Sequence, residues 1–277
     1  MKKRTKWVLA AGALGLGALL LLGLDVRLTV RYYRVESGKV SAPVRLAVLT
    51  DLHSCAYGEG QRDLLEAVEE QDPDLVLLGG DIVDDDLAMD PERAMTAAAA
   101  LAARWPTCYV TGNHEFWSGR AAEIKAELAG LGVTVLEGAW VTVDVRGQNI
   151  RICGIDDPAV GEETWGEQLE QVSAAVDGTV FSVLLTHRPE RVEDYAGRGF
   201  DLVLAGHAHG GQWRLPGLIN GLIAPNQGLF PQYAGGRYDL GDTALIVSRS
   251  LARESTRVPR IFNPPELVVV DVEPAKK

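Results

Sequence analysis

The sequence is poor in cysteine and in basic charge. Its 277 residues include three cysteines, Cys55, Cys108 and Cys153, and no C-x-x-C pair. This excludes a disulfide framework, a zinc ribbon and a thioredoxin-like motif, and it favours small buried residues at all three positions. The basic residues number 27 against 38 acidic ones, which gives a net charge of −11. Because nucleic-acid binding needs a basic surface, this balance argues against a nucleic-acid partner.

The rest of the composition is typical of a globular protein. Apolar residues make up 47% of the chain and charged residues 23%, and the sequence has no internal repeat or low-complexity tract. The length corresponds to one large domain or two small ones, and it is ample for a core that needs no disulfide to be stable. Histidine is scarce, with five residues: His53, His114, His187, His207 and His209.

Residues 7–24 are an 18-residue run without a charged side chain. This length fits a membrane span better than a buried core helix. Four basic residues between positions 2 and 6 favour a cytoplasmic N-terminus, so the sequence predicts a single-pass anchor with the body outside the cytoplasm. A cleaved signal peptide is the alternative. Because three arginines follow the run, a body that faces the cytoplasm and acts in lipid metabolism is a second alternative.

The charge of the body differs from that of the whole chain. Residues 1–24 contain four basic and no acidic side chains, so the remainder has a net charge of −15. We predict an anchor at 1–24, a stalk or leading strand at 25–43 and a single domain at 44–277.

The first half of the body alternates predicted strands and helices. Strands are predicted at 44–50, 74–79 and 107–111, and helices at 61–70, 91–104 and 121–131. This order indicates a parallel sheet with helices on its faces. The second half is richer in strands, predicted at 133–136, 140–145, 150–155, 180–186, 201–205, 243–248 and 267–272, with a helix near 167–175. The pattern predicts an α/β domain of two packed sheets with helices outside.

Polar side chains follow five of these strands where each strand ends. The segments are Asp51-Leu52-His53, Gly80-Asp81 with Asp84, Gly112-Asn113-His114-Glu115, His187, and Gly206-His207-Ala208-His209. Ligands of open α/β sheets bind beyond the carboxyl ends of the strands. If these segments are extended, the side chains at i and i+2 share one side. Imidazole, carboxylate and amide ligands suit divalent transition metals, and seven candidates suffice for two ions that share a carboxylate.

The set D-x-H, G-D-x-x-D, G-N-H-E, a lone His and G-H-x-H resembles the calcineurin-like metallophosphoesterase family over about residues 44–272. The segments 206–212, 214–216 and 263–266 resemble a membrane-anchored bacterial branch of it. The resemblance implies a four-layer sandwich of two mixed β-sheets flanked by helices, here with an N-terminal transmembrane helix. It also implies two Mn, Fe or Zn ions, with Mn favoured.

The resemblance also implies a role for each matching residue. Asp51, His53 and His209 would hold one metal; Asn113, His187 and His207 would hold the other; and Asp81 would bridge the two. A metal-bound hydroxide would attack phosphorus. His114 would act at the leaving group, and Asp84 would orient it by a hydrogen bond.

The implied function is hydrolysis of a phosphodiester or pyrophosphate bond, in an envelope or lipid-linked substrate. A phosphomonoesterase and a non-catalytic metal-dependent binding module are the alternatives. Protein phosphatases of this superfamily have Arg-Gly where this chain has Asp85-Asp86, which argues against a phosphoprotein substrate. Glu115 fits a helix cap as well as a functional role, and Asn226 is interpreted as a polar loop residue.

Overall fold

The computed structural model describes residues 15, 17, 21–253 and 258–275, and two β-sheets form its centre. The predicted membrane anchor, residues 7–24, lies outside the described residues except at 15, 17 and 21–24. Within the described ranges, no helix has the length and apolar character needed to cross a bilayer.

The first sheet is mixed. Its spatial order is β1 (Thr29–Ser37), β14 (Glu266–Pro274), β2 (Val44–Leu49), β3 (Leu75–Gly79), β4 (Thr107–Val110) and β5 (Thr134–Val135). Strands β2 to β5 are parallel, whereas β14 runs antiparallel to β2 and parallel to β1. The alternation of strands and helices therefore predicts the parallel part of this sheet, and β1 and β14 extend it.

The second sheet is also mixed. Its order is β12 (Gly236–Leu240), β13 (Thr243–Val247), β9 (Leu202–Ala205), β8 (Phe181–Leu185), β7 (Gln148–Gly154) and β6 (Ala139–Val145). The four central strands are parallel, and both edge strands are antiparallel to their neighbours. A separate hairpin pairs β10 (Ile223–Ala224) with β11 (Gly228–Leu229).

Helices cover the outer face of each sheet. They are α1 (Arg62–Glu69), α2 (Glu92–Ala102), α3 (Asn113–Trp117), α4 (Ala121–Gly130), α5 (Glu162–Ala174) and α6 (Val192–Tyr195). Apolar side chains of α1, α2 and α4 pack on the first sheet, and those of α5 and α6 pack on the second. A third cluster of apolar side chains fills the space between the sheets. The layers are therefore helix, sheet, sheet and helix, as predicted.

The central strands are apolar on both faces. In β3, Leu75 and Leu77 point into the core between the sheets, whereas Val76 and Leu78 face the helices. Because successive side chains of a strand alternate and both faces are buried, these strands appear in the sequence as continuous apolar runs. This is why their positions were predictable. All three cysteines are buried, as predicted.

Local differences from the prediction have identifiable causes. The turn between β6 and β7 contains only Arg146 and Gly147, both with positive φ (54° and 79°), so Gln148 belongs to β7. A two-residue turn of this kind matches the twist of the strands that it joins. Helix α5 begins at Glu162, five residues before its predicted start; its first three residues are polar, so no apolar pattern marks this end of the helix. Strand β12 was not predicted, since it is half exposed and polar.

Candidate metal centre

The predicted site residues all lie just beyond the carboxyl ends of five parallel strands. Asp51 follows β2, Asp81 follows β3, Asn113 follows β4, His187 follows β8 and His207 follows β9. Strands β2, β3 and β4 are neighbours in one sheet, and β8 and β9 are neighbours in the other. The carboxyl ends of both sheets therefore meet at one place in the molecule.

Asp81 lies at the centre of this group. Its Oδ2 atom is 3.0 Å from Nε2 of His187, 3.8 Å from Nε2 of His53 and 3.9 Å from Nε2 of His114. The structure brings two clusters of potential metal ligands together at this carboxylate. They are Asp51, His53, Asp81 and His209 on one side, and Asp81, His187 and His207 on the other.

Several potential ligand atoms of these clusters are buried but make no hydrogen bond within the described part of the chain. Within the described part of the chain, Asp51 Oδ2, Asp81 Oδ2, Asn113 Oδ1 and His187 Nε2 are buried and make no hydrogen bond. His187 Nε2 and Asp81 Oδ2 are close in space, yet their geometry is not that of a hydrogen bond. A buried polar atom without a partner costs about 1–3 kcal/mol. Lone pairs that converge in this way suit a pair of divalent cations.

The backbone is strained at the same positions. Asp51, His53, Asp81, His207 and His209 all have φ between 47° and 65°, a region that costs a residue with a Cβ roughly 1–2 kcal/mol. The expectation that 51–53 and 207–209 are extended is therefore wrong. Tight left-handed turns, and not strand alternation, aim these side chains. Strain of this kind persists where surrounding structure enforces it, and it clusters at functional sites.

Burial and close charges perturb the ionisation of the cluster. Burial raises the pKa of Asp51. Burial and the nearby charges of His187 and Arg188 lower the pKa of His207 well below its ordinary value, and burial and the charges of His53 and Arg260 do the same to the pKa of His209. The two histidines are thus held as neutral imidazoles, which is the form that ligates metals.

Asp81 and His187 attract each other strongly. Burial alone would raise the pKa of Asp81, but the interactions with His187, His53 and His114, that with His187 being the largest, lower this pKa well below its usual value. Burial would lower the pKa of His187, and the Asp81 carboxylate raises it to about 10.

Glu115 joins the loops that carry the cluster. Its fully buried carboxylate accepts backbone N–H groups from Asp81 (3.1 Å), Ile82 (2.8 Å), Val83 (3.1 Å) and Gly112 (2.8 Å). One of these four hydrogen bonds, from Gly112, caps helix α3, as the interpretation of Glu115 as a helix cap predicts. The other three bonds fix the loop after β3 that contains the central aspartate.

Replacement of Glu115 by glutamine should therefore destabilise the fold. The amide can accept from fewer donors, and its own N–H groups would face backbone N–H groups, so we expect a loss of about 3 kcal/mol. The measurement is urea denaturation of the full chain. Glu127→Gln on the exposed face of α4 is the matched control, with an expected change within about 0.5 kcal/mol. Equal stability of the two variants would contradict this role of Glu115.

His114 lies at the mouth of the site, with a side chain that is 23% exposed. Its Nδ1 atom is 2.6 Å from Asp85 Oδ1 but 3.7 Å from Asp84 Oδ1. Asp84 instead contacts His53, with Oδ2 2.8 Å from Nδ1. In this structure the carboxylate nearest to His114 Nδ1 is therefore that of Asp85, whereas Asp84 lies closer to His53, a candidate ligand. Burial would lower the pKa of His114, but the neighbouring carboxylates raise it to about 9.

Sequence reasoning missed a buried cation beside the cluster. Arg188 is 8% exposed, and its guanidinium binds both carboxylate oxygens of Asp157. Its Nη1 atom lies 2.7 Å from Asn226 Oδ1 and 3.0 Å from His207 Nε2. The only indication of this role in the sequence is that Arg188 directly follows His187, a predicted metal ligand. Asn226 reaches the site from the hairpin between β10 and β11, which no local pattern marks.

The fold and this cluster together define a class of protein: an α/β protein of two packed sheets with buried clusters of potential metal ligands at the carboxyl ends of its strands. The family model for calcineurin-like phosphoesterases matches residues 44–211. The chain belongs to this family and is a metallophosphoesterase, a metal-dependent hydrolase of phosphoester bonds.

The chain is also similar to curated relatives in sequence and to a solved structure in fold. The chain is 29% identical over 230 residues to an uncharacterized metallophosphoesterase, YkuE, of Bacillus subtilis, covering 81% of this chain and 77% of the relative. It is 28% identical over 215 residues to phosphodiesterase YaeI of Escherichia coli, covering 76% of each. A 5'-nucleotidase precursor from Thermus thermophilus shares the fold, with a TM-score of 0.50 and 16% identity over 76% of this chain. The chain spans about half, 49%, of that nucleotidase.

Proposed function

We propose that the protein is a membrane-anchored phosphodiesterase that cleaves phosphodiester or pyrophosphate bonds with two divalent cations, Mn²⁺ being favoured. The observation that carries the proposal is the position of Asp81 between two clusters of buried ligand atoms. The relative that is described as a phosphodiesterase supports a diester substrate over a monoester.

The ligands divide between the two cations as the clusters do. Asp51, His53 and His209 would hold one ion, and His187 and His207 would hold the other. Asn113 would join the second group, because its buried Oδ1 has no hydrogen-bond partner among the described residues. Asp81 would contact both ions. When bound, the two ions lower the pKa of a coordinated water and offset charge on the phosphoryl oxygens.

The side chains around the cluster handle the substrate. His114 lies at the mouth, where its imidazolium can give a proton to the leaving oxygen. Arg188 adds a fixed positive charge beside His207, which suits a phosphoryl oxygen. Asp157 holds the guanidinium on its far side, so that Nη1 remains directed toward the cluster.

Substitution of Arg188 by lysine tests this role. Lysine keeps a positive charge next to buried Asp157 but lacks the planar guanidinium group, which can contact Asp157 and a phosphoryl oxygen at the same time. We therefore expect kcat/KM to fall by about tenfold or more, with unchanged metal content. Arg62→Lys, at an exposed position of α1, is the matched control. An Arg188→Lys enzyme with full kcat/KM would rule out a contact between this guanidinium and the phosphoryl group.

We place the body of the protein outside the cytoplasm, held by residues 7–24. The 18-residue length of this run supports a membrane span, and the four basic residues before it support this orientation. For a protein that carries an added epitope tag at its N-terminus, the expected result is digestion of the body by protease added to spheroplasts, with the tag protected. Protection of the body in intact spheroplasts, together with its digestion after lysis, would place the enzyme in the cytoplasm.

The experiment that tests the proposed function is a substrate panel with the purified full chain in detergent. We expect hydrolysis of bis-p-nitrophenyl phosphate with added Mn²⁺ and slower hydrolysis of p-nitrophenyl phosphate. Faster turnover of the monoester would favour a phosphomonoesterase. Binding of about two ions without turnover of any phosphoester would favour a metal-dependent binding module.

A further inference from the structure

One segment of the surface differs in chemistry from the rest of the acidic body. The 22 residues at 215–236 contain no charged side chain. Most of the exposed apolar side chains here lie at residues 213–230, which include one charged residue, Arg214, and we name this segment the apolar loop. Its exposed large hydrophobic side chains are Trp213, Leu215, Leu218, Ile223, Leu229 and Phe230. Such a concentration of exposed apolar side chains marks an interaction surface.

The apolar side chains of the loop are highly exposed, and two of them lie side by side on one face of a hairpin. Leu218 is 85% exposed, Leu229 67% and Phe230 65%. Ile223 and Leu229 are cross-strand partners in the β10–β11 hairpin, so their side chains project from the same face. A cavity of about 190 Å³ at the base of the loop is lined by Trp213, Arg214, Leu215, Ile219, Leu222 and Ile261. The loop therefore presents apolar side chains outward from an apolar base.

The apolar loop adjoins the place where the N-terminal uncharged run enters the described structure. The amide N–H of Phe262 donates to the carbonyl of Gly23 (2.7 Å). Ile261, the preceding residue, bridges to Trp213 in the loop. Leu21 and Leu22 are also exposed, and ten of the fifteen exposed large hydrophobic residues in the described ranges lie either at 21–26 or in the apolar loop.

The other end of the loop contacts the metal centre. Asn226, between the two strands of the hairpin, lies 2.9 Å from His207 Nε2 through its Oδ1 atom. The amide of Leu222 donates to the carbonyl of Gly211, two residues after His209. One short segment thus spans from the end of the uncharged run to a proposed ligand.

We propose that the apolar loop docks on the lipid bilayer beside the anchor and holds the metal centre at the membrane surface. The end of the uncharged run is joined to the loop through Phe262 and Ile261, and the loop has no acidic residue that anionic headgroups would repel. This inference rests on the proposed function, and it specifies the substrate class: a phosphoester whose cleaved bond lies in the headgroup region of an amphiphile.

Docking is tested by labelling the full chain in vesicles. The native cysteines are at most 2% exposed, so a Leu218→Cys variant can be labelled selectively with an environment-sensitive fluorophore. The vesicles are phosphatidylcholine with lipids that carry a quencher on the acyl chain. Asp242→Cys is the matched control, because it lies at the exposed β12–β13 turn, at the opposite end of the sheet from the site.

We expect the lipid quencher to reduce emission from the label at 218 at least about twofold more than from the label at 242, because interfacial side chains reach the acyl boundary. Equal quenching at the two positions would overturn the proposal. A label at 218 that is shielded from water but unaffected by the lipid quencher would also overturn it, because a second copy or another protein would then cover the loop.

Activity provides a second readout. The double substitution Leu218→Asp with Phe230→Asp should leave turnover of soluble bis-p-nitrophenyl phosphate unchanged and lower hydrolysis of a vesicle-embedded phosphodiester at least about tenfold. An equal loss with both substrates, or no loss with either, would overturn the link to the substrate. If the parent enzyme hydrolyses neither substrate, the proposed function fails, whereas the labelling result still decides whether the loop docks.

Discussion

Replacement of Asp81 by asparagine should lower kcat for bis-p-nitrophenyl phosphate by at least about 10³-fold, because one carboxylate serves both halves of the site. Its Oδ2 atom lies within 3.9 Å of ring nitrogens of His53, His114 and His187. An asparagine has one oxygen for two ions and no charge. Its amide nitrogen is a poor ligand, so the pair of ions should be lost or misplaced.

The assay uses the purified full chain with saturating Mn²⁺. Asp242→Asn is the matched control, because this aspartate is exposed and remote from the site, and it should retain full activity. Circular dichroism identifies any variant that fails to fold. A folded Asp81→Asn protein with more than about a tenth of the parental kcat would contradict the role given to this residue.

Removal of metal should have the second largest effect, on stability as well as on activity. Without cations, Asp51 Oδ2 and Asp81 Oδ2 are buried carboxylate oxygens that accept no hydrogen bond within the described residues, and burial of such atoms is costly. A ligand at 100 times its Kd stabilises a fold by about 2.7 kcal/mol, which corresponds to about 5–10 °C in Tm for a domain of this size. We therefore expect EDTA to abolish turnover and to lower Tm by at least that amount.

The measurement is differential scanning fluorimetry of the full chain before chelation, after chelation and after addition of Mn²⁺. The Asp81→Asn variant serves as the control, because its Tm should respond much less to the chelator. Full recovery of Tm and turnover on addition of Mn²⁺ is expected. A Tm that neither EDTA nor Mn²⁺ changes would contradict the proposal that cations occupy this site.

The sequence predicted the positions of the site residues better than their conformations. Buried parallel strands are continuous apolar runs in the sequence, so the polar residue that ends each run, such as Asp51 or His187, can be identified from the sequence alone. The backbone conformation of the turn that follows cannot be predicted from this pattern. His53 and His209 adopt left-handed backbone conformations that only tertiary hydrogen bonds enforce, such as His53 N–H to the carbonyl of Asp81 (2.9 Å).

Residues that reach the site from distant loops were not predictable from local patterns. Asn226 lies on a short hairpin whose two-residue strands have no apolar alternation. Glu115 occupies a cap position in the sequence, but the loop after β3 supplies three of its four donors. Asp85 contacts His114 because the chain turns after Asp84. In each case the contact depends on how two loops pack, and the identity of the residue alone does not define it.

The most direct test of a centre organised around Asp81 is the metal content of the full chain after Mn²⁺ loading and desalting. Elemental analysis should find about two ions per chain in the parent protein, with fewer in Asp81→Asn and a matching loss of diester hydrolysis. The control Asp242→Asn should bind as the parent does. One ion or none in an active parent enzyme, or two retained ions and full turnover in Asp81→Asn, would contradict the account.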